Sequence, residues 1–289
     1  MRSLLFVPGH DARKLAKGLD CGADALIVDL EDSVPDAEKP RARGVTAEFV
    51  VVNRDRLPLY VRVNALSTGL ALDDLAAVVR AQPYGIMLPK CASGRDVARV
   101  DAYLSELEAK DGVRVGSLRI LPIVTETAAA LFEMPSYARE AGPRLAGMMW
   151  GGEDLATDVG ASSNRAGGSY TPPFELARSL CLFGAAAAGV TAVDAVYTDF
   201  RDVEGLRAEA RAAVVAGFGA KAAIHPGQVQ AINEVFTPSD AALREASAIV
   251  AAFAQQPAAG AVNIGGRMFD RPHLTAAQRV LARAKQPQR

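Results

Sequence analysis

The sequence predicts an α/β protein, a (β/α)8 TIM barrel followed by a C-terminal helical lid appendage, and three observations carry that expectation. Eight short apolar runs bounded by turn residues recur along the first 225 or so residues; segments with helical spacing separate them; and charged or polar residues gather at the C-terminal end of most runs. Eight strand-helix units usually occupy roughly 250 residues, close to the length available here. An open doubly wound sheet, the alternative, requires neither eight units nor polar residues at so many strand ends.

In order, the runs are Leu4 to Val7, Ala25 to Leu30, Leu59 to Asn64, Gly85 to Pro89, Arg119 to Val124, Gly147 to Trp150, Ala192 to Val196 and Ala220 to His225. Between them, Leu70, Leu72, Leu75, Ala76, Val78 and Val79 have helical spacing, as do Leu176, Leu180, Phe183 and Ala187. The barrel domain is expected to cover residues 1–229, with residues 230–289 as the appendage. There, Thr237-Pro-Ser-Asp240 opens a helix capped by Ser239 or Asp240 and running to about Phe253. Gln255 to Gly260 reads as a flexible connection, Val262 to Phe269 as a hairpin, and Thr275 to about Lys285 as a closing helix before a frayed Gln-Pro-Gln-Arg tail.

Composition narrows the function classes. Half of the 289 residues are hydrophobic, so a sizeable core is available. The net charge of -1, from 32 basic and 33 acidic residues, argues against a general nucleic-acid binder. No stretch approaches the roughly 18 apolar residues of a membrane span, and Met1 to Val7 is too short for a signal peptide, so a cytoplasmic location is expected. Cys21, Cys91 and Cys181 are odd in number and unpaired by motif, and are read as buried thiols.

The chemistry lies at the strand ends: Asp29, Glu31 and Asp32 after the second run, Arg62 and Asn64 at the third, Lys90 at the fourth, Glu126 at the fifth, Asp154 at the sixth and His225 at the eighth. A parallel barrel brings all those ends to one mouth. In Trp150-Gly-Gly-Glu-Asp154, Asp154 either caps the following helix or belongs to a site. Glu126 and Asp154, from adjacent strands, are spaced to share one divalent ion; two carboxylates suit Mg²⁺, which keeps open positions for a substrate. The competing reading is a general acid and base pair without metal. Arg62, between Val61 and Val63, needs an anion, either a substrate carboxylate or Asp29 and Glu31, or both. Phe6-Val-Pro-Gly-His10 with Arg13, Lys14 and Lys17 is either a cradle for the phosphates of a nucleotide-containing carrier or a solvated helix face. His225 reads as a packed strand-end residue rather than a catalyst.

Taken together the motifs resemble one family, the citrate lyase beta subunit, malyl-CoA and citramalyl-CoA lyase group within the HpcH/HpaI aldolase superfamily. The resemblance rests, in order, on Leu5-Phe-Val-Pro-Gly9, Val28-Asp-Leu-Glu-Asp-Ser-Val34, Val61-Arg-Val-Asn64, Leu88-Pro-Lys90, Glu126-Thr-Ala128, Gly151-Gly-Glu-Asp-Leu155, Gly219-Ala-Lys-Ala-Ala-Ile-His-Pro226 and Met268-Phe-Asp-Arg-Pro-His273.

The resemblance implies Mg²⁺ on Glu126 and Asp154, a 2-oxoacid carboxylate gripped by Arg62, and coenzyme A as part of the substrate, met at Phe6, Arg13 and Lys17. Asp29, Glu31 and Glu153 would support those groups from behind. It also implies a homo-oligomer, a trimer, in which the terminal segment covers a neighbouring subunit's mouth and delivers Asp270 as acid or base. The expected activity is cleavage of a 3-hydroxyacyl-CoA, such as malyl-CoA or citramalyl-CoA, into acetyl-CoA and a 2-oxoacid. Alternatives on the same site are a thioesterase, a malate synthase or a citryl-carrier-protein lyase working in a complex; a subunit that only binds an acyl carrier is a reading of another class. One departure stands out: Asp11 occupies a position where the family often has arginine, although Arg13 and Lys17 still match basic positions.

Overall fold

The computed structural model describes residues 1–284 and divides into two compact units, Met1–Asn233 and the segment from Glu234 onward. In the first unit the strands are β1 (Ser3–Pro8), β2 (Ala25–Asp29), β3 (Leu59–Arg62), β4 (Gly85–Leu88), β5 (Arg119–Pro122), β6 (Gly147–Met149), a small hairpin of β7 (Arg165–Ala166) and β8 (Ser169–Tyr170), then β9 (Thr191–Asp194) and β10 (Ala220–Ala223). Eight of them form one parallel sheet in the order β5-β4-β3-β2-β1-β10-β9-β6. Parallel bridges Ile120 to Leu145 and Ile123 to Met149 join the two outer strands and close the ring. The eight predicted runs are the eight barrel strands, each boundary agreeing to within two residues.

Every barrel strand sends a side chain into one interior cluster: Leu4, Ile27, Tyr60, Met87, Leu121, Met149, Val193 and Ala222. Strands buried on both faces carry near-continuous apolar runs, which is why β2, Ala-Leu-Ile-Val-Asp, is buried throughout. The hairpin β7–β8 was not predicted. Two-residue strands are too short for a periodic signal, but its turn, Gly167 and Gly168 at φ 58° and 85°, is the glycine pair that a tight hairpin demands.

One helix presents a different face to the sheet from the one its large apolar residues suggest. Pro172–Ala187 buries Phe174, Ala177, Cys181, Gly184 and Ala185, whereas Leu176 and Phe183 are exposed. At Gly184 the helix packs closely, a Cβ there standing 2.9 Å from Cε of Met148 and 3.3 Å from Sδ of Met134. In Ala71–Val78 the expected Leu75 and Val78 are buried, as is Val79 beyond it, and Leu72 alone of the large apolar residues is exposed. Cys91 and Cys181 are buried, but Cys21 is only half-buried, because it follows the end of the helix Ala12–Leu19.

A buried ionic ring braces the β6, β9 and β10 side. Asp194 takes hydrogen bonds from Trp150 Nε1 (2.7 Å), Arg178 Nε (2.9 Å) and Lys221 Nζ (2.8 Å), and Lys221 also reaches Glu209 at 2.8 Å. Burial alone would raise the Asp194 pKa, but Lys221 and Arg178 outweigh it and hold the carboxyl below its ordinary value.

In the second unit, Ser239 caps the helix Asp240–Gln255, its Oγ accepting from Ala242 N–H at 3.2 Å. The hairpin β11 (Ala261–Ile264) and β12 (Arg267–Asp270) turns at Gly265 and Gly266, both at positive φ. The last helix, Arg271–Ala284, begins four residues before the predicted Thr275, since Pro272 sits in its first turn where a proline is tolerated. The predicted end at Lys285 and the frayed tail lie outside the described residues. Ala246, Ile249, Phe253, Val262, Phe269 and Ala277 make this unit's own core. Among the described residues no helix is long and apolar enough to cross a membrane.

Removing one partner of a buried pair leaves an uncompensated charge, at a cost of roughly 3–5 kcal/mol. Lys221→Met is therefore expected to lower the unfolding free energy by about that amount in urea titrations followed by circular dichroism. Because the folded-state pKa of Asp194 lies below its ordinary 3.8, its stabilising contribution is complete above that value and disappears as pH falls through the lower folded value. Asp194→Asn should remove that acid-labile component and flatten stability against pH below about 4.

Candidate active site

A cavity of about 430 Å³ opens at the C-terminal ends of the barrel strands and is lined by residues from β1, β2, β3, β5, β6, β8, β9 and β10 or the loops that follow them. Its polar half starts from sheet register. Asp29 on β2 pairs with Arg62 on β3, and this places their side chains together. Arg62 Nε and Nη2 bind the two oxygens of Asp29 at 2.6 and 2.7 Å, while Nη1 lies 3.1 Å from Glu31 and 3.5 Å from Asp32. Burial would raise the Asp29 pKa, but the Arg62 guanidinium holds it below the ordinary range. The Arg62 guanidinium also stacks 4.9 Å from the Phe6 ring centroid. Buried Lys39 fixes the loop after β2, its Nζ donating to the carbonyls of Leu30 and Glu31 and to Asn64 Oδ1 at 2.7 to 3.0 Å.

Lys90 is the hinge between the two sets of acids. It stands just past β4 with φ 48°, a left-handed conformation that costs a non-glycine residue roughly 1–3 kcal/mol. That twist lets its N–H donate to the Glu126 carboxylate while its ammonium lies 2.7 Å from Glu31 and 3.4 Å from Asp154. Glu126 is 4% exposed, and its carboxyl is pushed up to about 8, by burial first and then by the neighbouring charges of Asp154 and Glu31.

Asp154 lies in the first turn of the helix Glu153–Asp158, whose N-cap is Gly152, so it is free of capping duty and lines the cavity. Gly151 makes room for Glu126: a Cβ there would stand 3.0 Å from Glu126 Cγ and 3.1 Å from Ile123 Cγ2. Glu153 also lines the cavity and accepts from Asn164 Nδ2 at 2.8 Å.

This arrangement suits a divalent cation. Asp29, Glu31, Asp32, Glu126, Glu153 and Asp154 crowd the mouth against Arg62 and Lys90, leaving an excess of negative charge. Glu126 and Asp154 both offer carboxylate oxygens and both touch Lys90, the first at its backbone N–H and the second at its ammonium, while no group of three or more His, Cys, Asp or Glu side chains arranged to hold a metal occurs among the described residues. Two carboxylates of this kind would leave positions open for water and substrate, as Mg²⁺ prefers.

Of the residues singled out in the sequence, Phe6, Asp29, Arg62, Glu126, Glu153 and Asp154 line the cavity, with Glu31 in contact through Arg62 and Lys90. Arg13 and Lys17 do not line it; they are exposed on the helix Ala12–Leu19. Asp11 has a local task, capping that helix by accepting from the N–H groups of Arg13 (3.1 Å) and Lys14 (3.0 Å). His225 is exposed and stacked on Phe200 at 4.9 Å rather than packed in the strand end. Asp270 belongs to the second unit, where it is exposed and its carboxylate meets His273 Nδ1, a contact that holds its pKa below the ordinary value. Lys90 stands at a strand end in the sequence with nothing there to mark its role, and Tyr170, which the hairpin β7–β8 brings to the cavity wall, carries no signal in the sequence beyond the glycine pair of its turn.

Fold and site together define a (β/α)8-barrel enzyme whose polar groups converge at the C-terminal ends of its strands. Residues 2–226 match the HpcH/HpaI aldolase/citrate lyase family model, and the chain belongs to that family. It is 36% identical to a (3S)-malyl-CoA thioesterase of Cereibacter sphaeroides, with 98% of this chain and 94% of that protein covered. It is 34% identical to the mitochondrial citramalyl-CoA lyase of Rattus norvegicus, over 98% of this chain and 86% of that one. A crystal structure of protein CitE from Mycobacterium tuberculosis, in complex with magnesium, acetoacetate and coenzyme A, superposes with a TM-score of 0.80 at 34% identity, covering 99% of this chain and 98% of the other.

In a calorimetric Mg²⁺ titration, Glu126→Gln and Asp154→Asn are each expected to weaken binding at least about tenfold, roughly 1.4 kcal/mol. Gly151→Ala should weaken it as well, by displacing Glu126, without loss of the folded circular dichroism spectrum.

Proposed function

We propose that this chain is a Mg²⁺-dependent carbon-carbon lyase that cleaves a 3-hydroxyacyl-CoA, of the malyl-CoA or citramalyl-CoA type, into acetyl-CoA and a 2-oxoacid. The observation that carries the reading is the meeting, in one cavity, of a two-carboxylate cation site with the guanidinium of Arg62. Glu126 and Asp154 would hold Mg²⁺, which when bound supplies Lewis-acid polarisation of the 2-oxoacid carbonyl.

The remaining work falls to the chain's own groups. Asp29 occupies the Nε and Nη2 edge of Arg62, and the Nη1 edge, which Glu31 and Asp32 approach at 3.1 and 3.5 Å, would be the donor shared with the 2-oxoacid carboxylate. That fixed grip converts binding into orientation. Lys90 keeps Glu126 and Asp154 in register through its backbone N–H and its ammonium. In the condensation direction a carboxylate must take a proton from the thioester's methyl carbon, and in cleavage return it to the enolate. We assign that exchange to Asp270, held ionised by its hydrogen bond with His273. The assignment goes with a homotrimer in the cytoplasm, each C-terminal unit serving a neighbouring copy's barrel, with Arg13 and Lys17 toward the coenzyme A phosphates.

Incubation with malyl-CoA and citramalyl-CoA in Mg²⁺ should release glyoxylate or pyruvate together with acetyl-CoA; absence of either oxoacid from both substrates would sink the reading. The relative named a thioesterase motivates a second outcome, free coenzyme A with intact malate, which the same product analysis separates. Arg62→Lys keeps the charge but loses the fork, and is expected to lower kcat/KM by roughly 100-fold, about 2.7 kcal/mol. Asp270→Asn should abolish exchange of the acetyl-CoA methyl protons while Mg²⁺ binding persists.

A further inference from the structure

The cavity is divided by chemistry as well as by strand. Its charged residues stand on β2, β3 and the loops after β2, β5 and β6, interleaved with Ile123 and Met149, whereas the lining from beyond β9 and β10 and from the hairpin, Ala195, Val196, Ile224 and Tyr170, is a wall without a charged group. In the closed ring β9 lies four strands from β3 in either direction, directly across the mouth from Arg62. A 2-oxoacid with its carboxylate on Arg62 and its carbonyl beside Glu126 and Asp154 must extend whatever else the carbonyl carbon carries toward that wall.

Tyr170 is held firmly there. Its ring meets Trp150 edge-on at 4.8 Å, and the Arg165 guanidinium covers it at 3.8 Å. Arg165 is tied to Glu209 at 2.5 Å, Glu209 to Lys221, Lys221 to Asp194, and Asp194 back to Trp150, so the aromatic pair is locked by a closed circuit of contacts. A solvated loop residue would carry no such bracing. A rigid apolar surface discriminates by size, one methylene being worth about 10- to 200-fold in kcat/KM.

We propose that Tyr170, Ala195 and Val196 form a pocket for a hydrocarbon substituent on the 2-oxoacid, and that this chain acts on substrates yielding an alkyl-bearing 2-oxoacid such as pyruvate in preference to glyoxylate. The proposal rests on the lyase reading and names its substrate class. Tyr170 acts through shape: its ring, not its hydroxyl, sets the pocket's limit.

The test is condensation of acetyl-CoA with glyoxylate, pyruvate, 2-oxobutyrate and 2-oxoisovalerate in Mg²⁺, comparing kcat/KM for the wild type, Tyr170→Phe, Tyr170→Ala and Ala195→Val. The wild type should favour pyruvate over glyoxylate by at least about tenfold. Tyr170→Phe should keep that ratio, whereas Tyr170→Ala should collapse it and raise the two bulkier oxoacids relative to pyruvate. Ala195→Val, which fills the pocket and keeps Tyr170, should shift preference the opposite way, toward glyoxylate. A wild type that uses glyoxylate as well as pyruvate, or ratios unmoved in both Tyr170→Ala and Ala195→Val, overturns the pocket while leaving the lyase reading intact. No product from any of the four oxoacids overturns the lyase reading and the pocket with it.

Discussion

Holding an excess of carboxylate at the mouth of an otherwise apolar barrel is the constraint around which this molecule is organised. Carboxylates removed from water repel one another and resist ionisation, and Glu126, pushed up to about 8 chiefly by burial, shows how strongly. Two cations keep the cluster together. Arg62 neutralises Asp29 and Glu31 on one side, and Lys90, at the cost of a left-handed backbone, spans Glu31, Glu126 and Asp154 on the other. What these two leave uncompensated is the charge that a divalent ion and an anionic substrate would complete between them.

The opposite side of the barrel solves a different problem with similar means. Asp194, Arg178, Lys221 and Glu209 form a buried network of their own, and its reach through Arg165 and Trp150 fixes the aromatic wall of the cavity. One half of the mouth is thus set by ionic demand and the other by rigid apolar shape. Both depend on strand ends for placement, because only rigid elements hold side chains within the fraction of an ångström that such chemistry requires.

The barrel was legible in the chain because doubly buried parallel strands must be short apolar runs, and the eight runs read from the sequence are the eight strands of the ring. Strand-end polarity likewise marked Asp29, Arg62, Glu126 and Asp154, which the structure brings to one cavity. Faces were less legible. Leu176 and Phe183 follow helical spacing yet are exposed, while Phe174, Ala177, Cys181 and Gly184 of the same helix are buried. Arg13 and Lys17 show the complementary difficulty: a basic helical stripe looks the same in sequence whether it lines a site or, as here, sits exposed on a helix capped by Asp11.

What the sequence determined by itself was local and periodic: the alternation of strands and helices, the glycine turn at Gly265 and Gly266, the Ser239 cap, and which residue types stand at each strand end. Only the tertiary structure decided which of those strand ends act together. The β2–β3 register joins Asp29 to Arg62, ring closure sets β9 across from β3, and the two-residue strands of the hairpin carry Tyr170 into the cavity. These are relations between segments distant in the chain, fixed by hydrogen-bond register and packing, and no local pattern of residues encodes them.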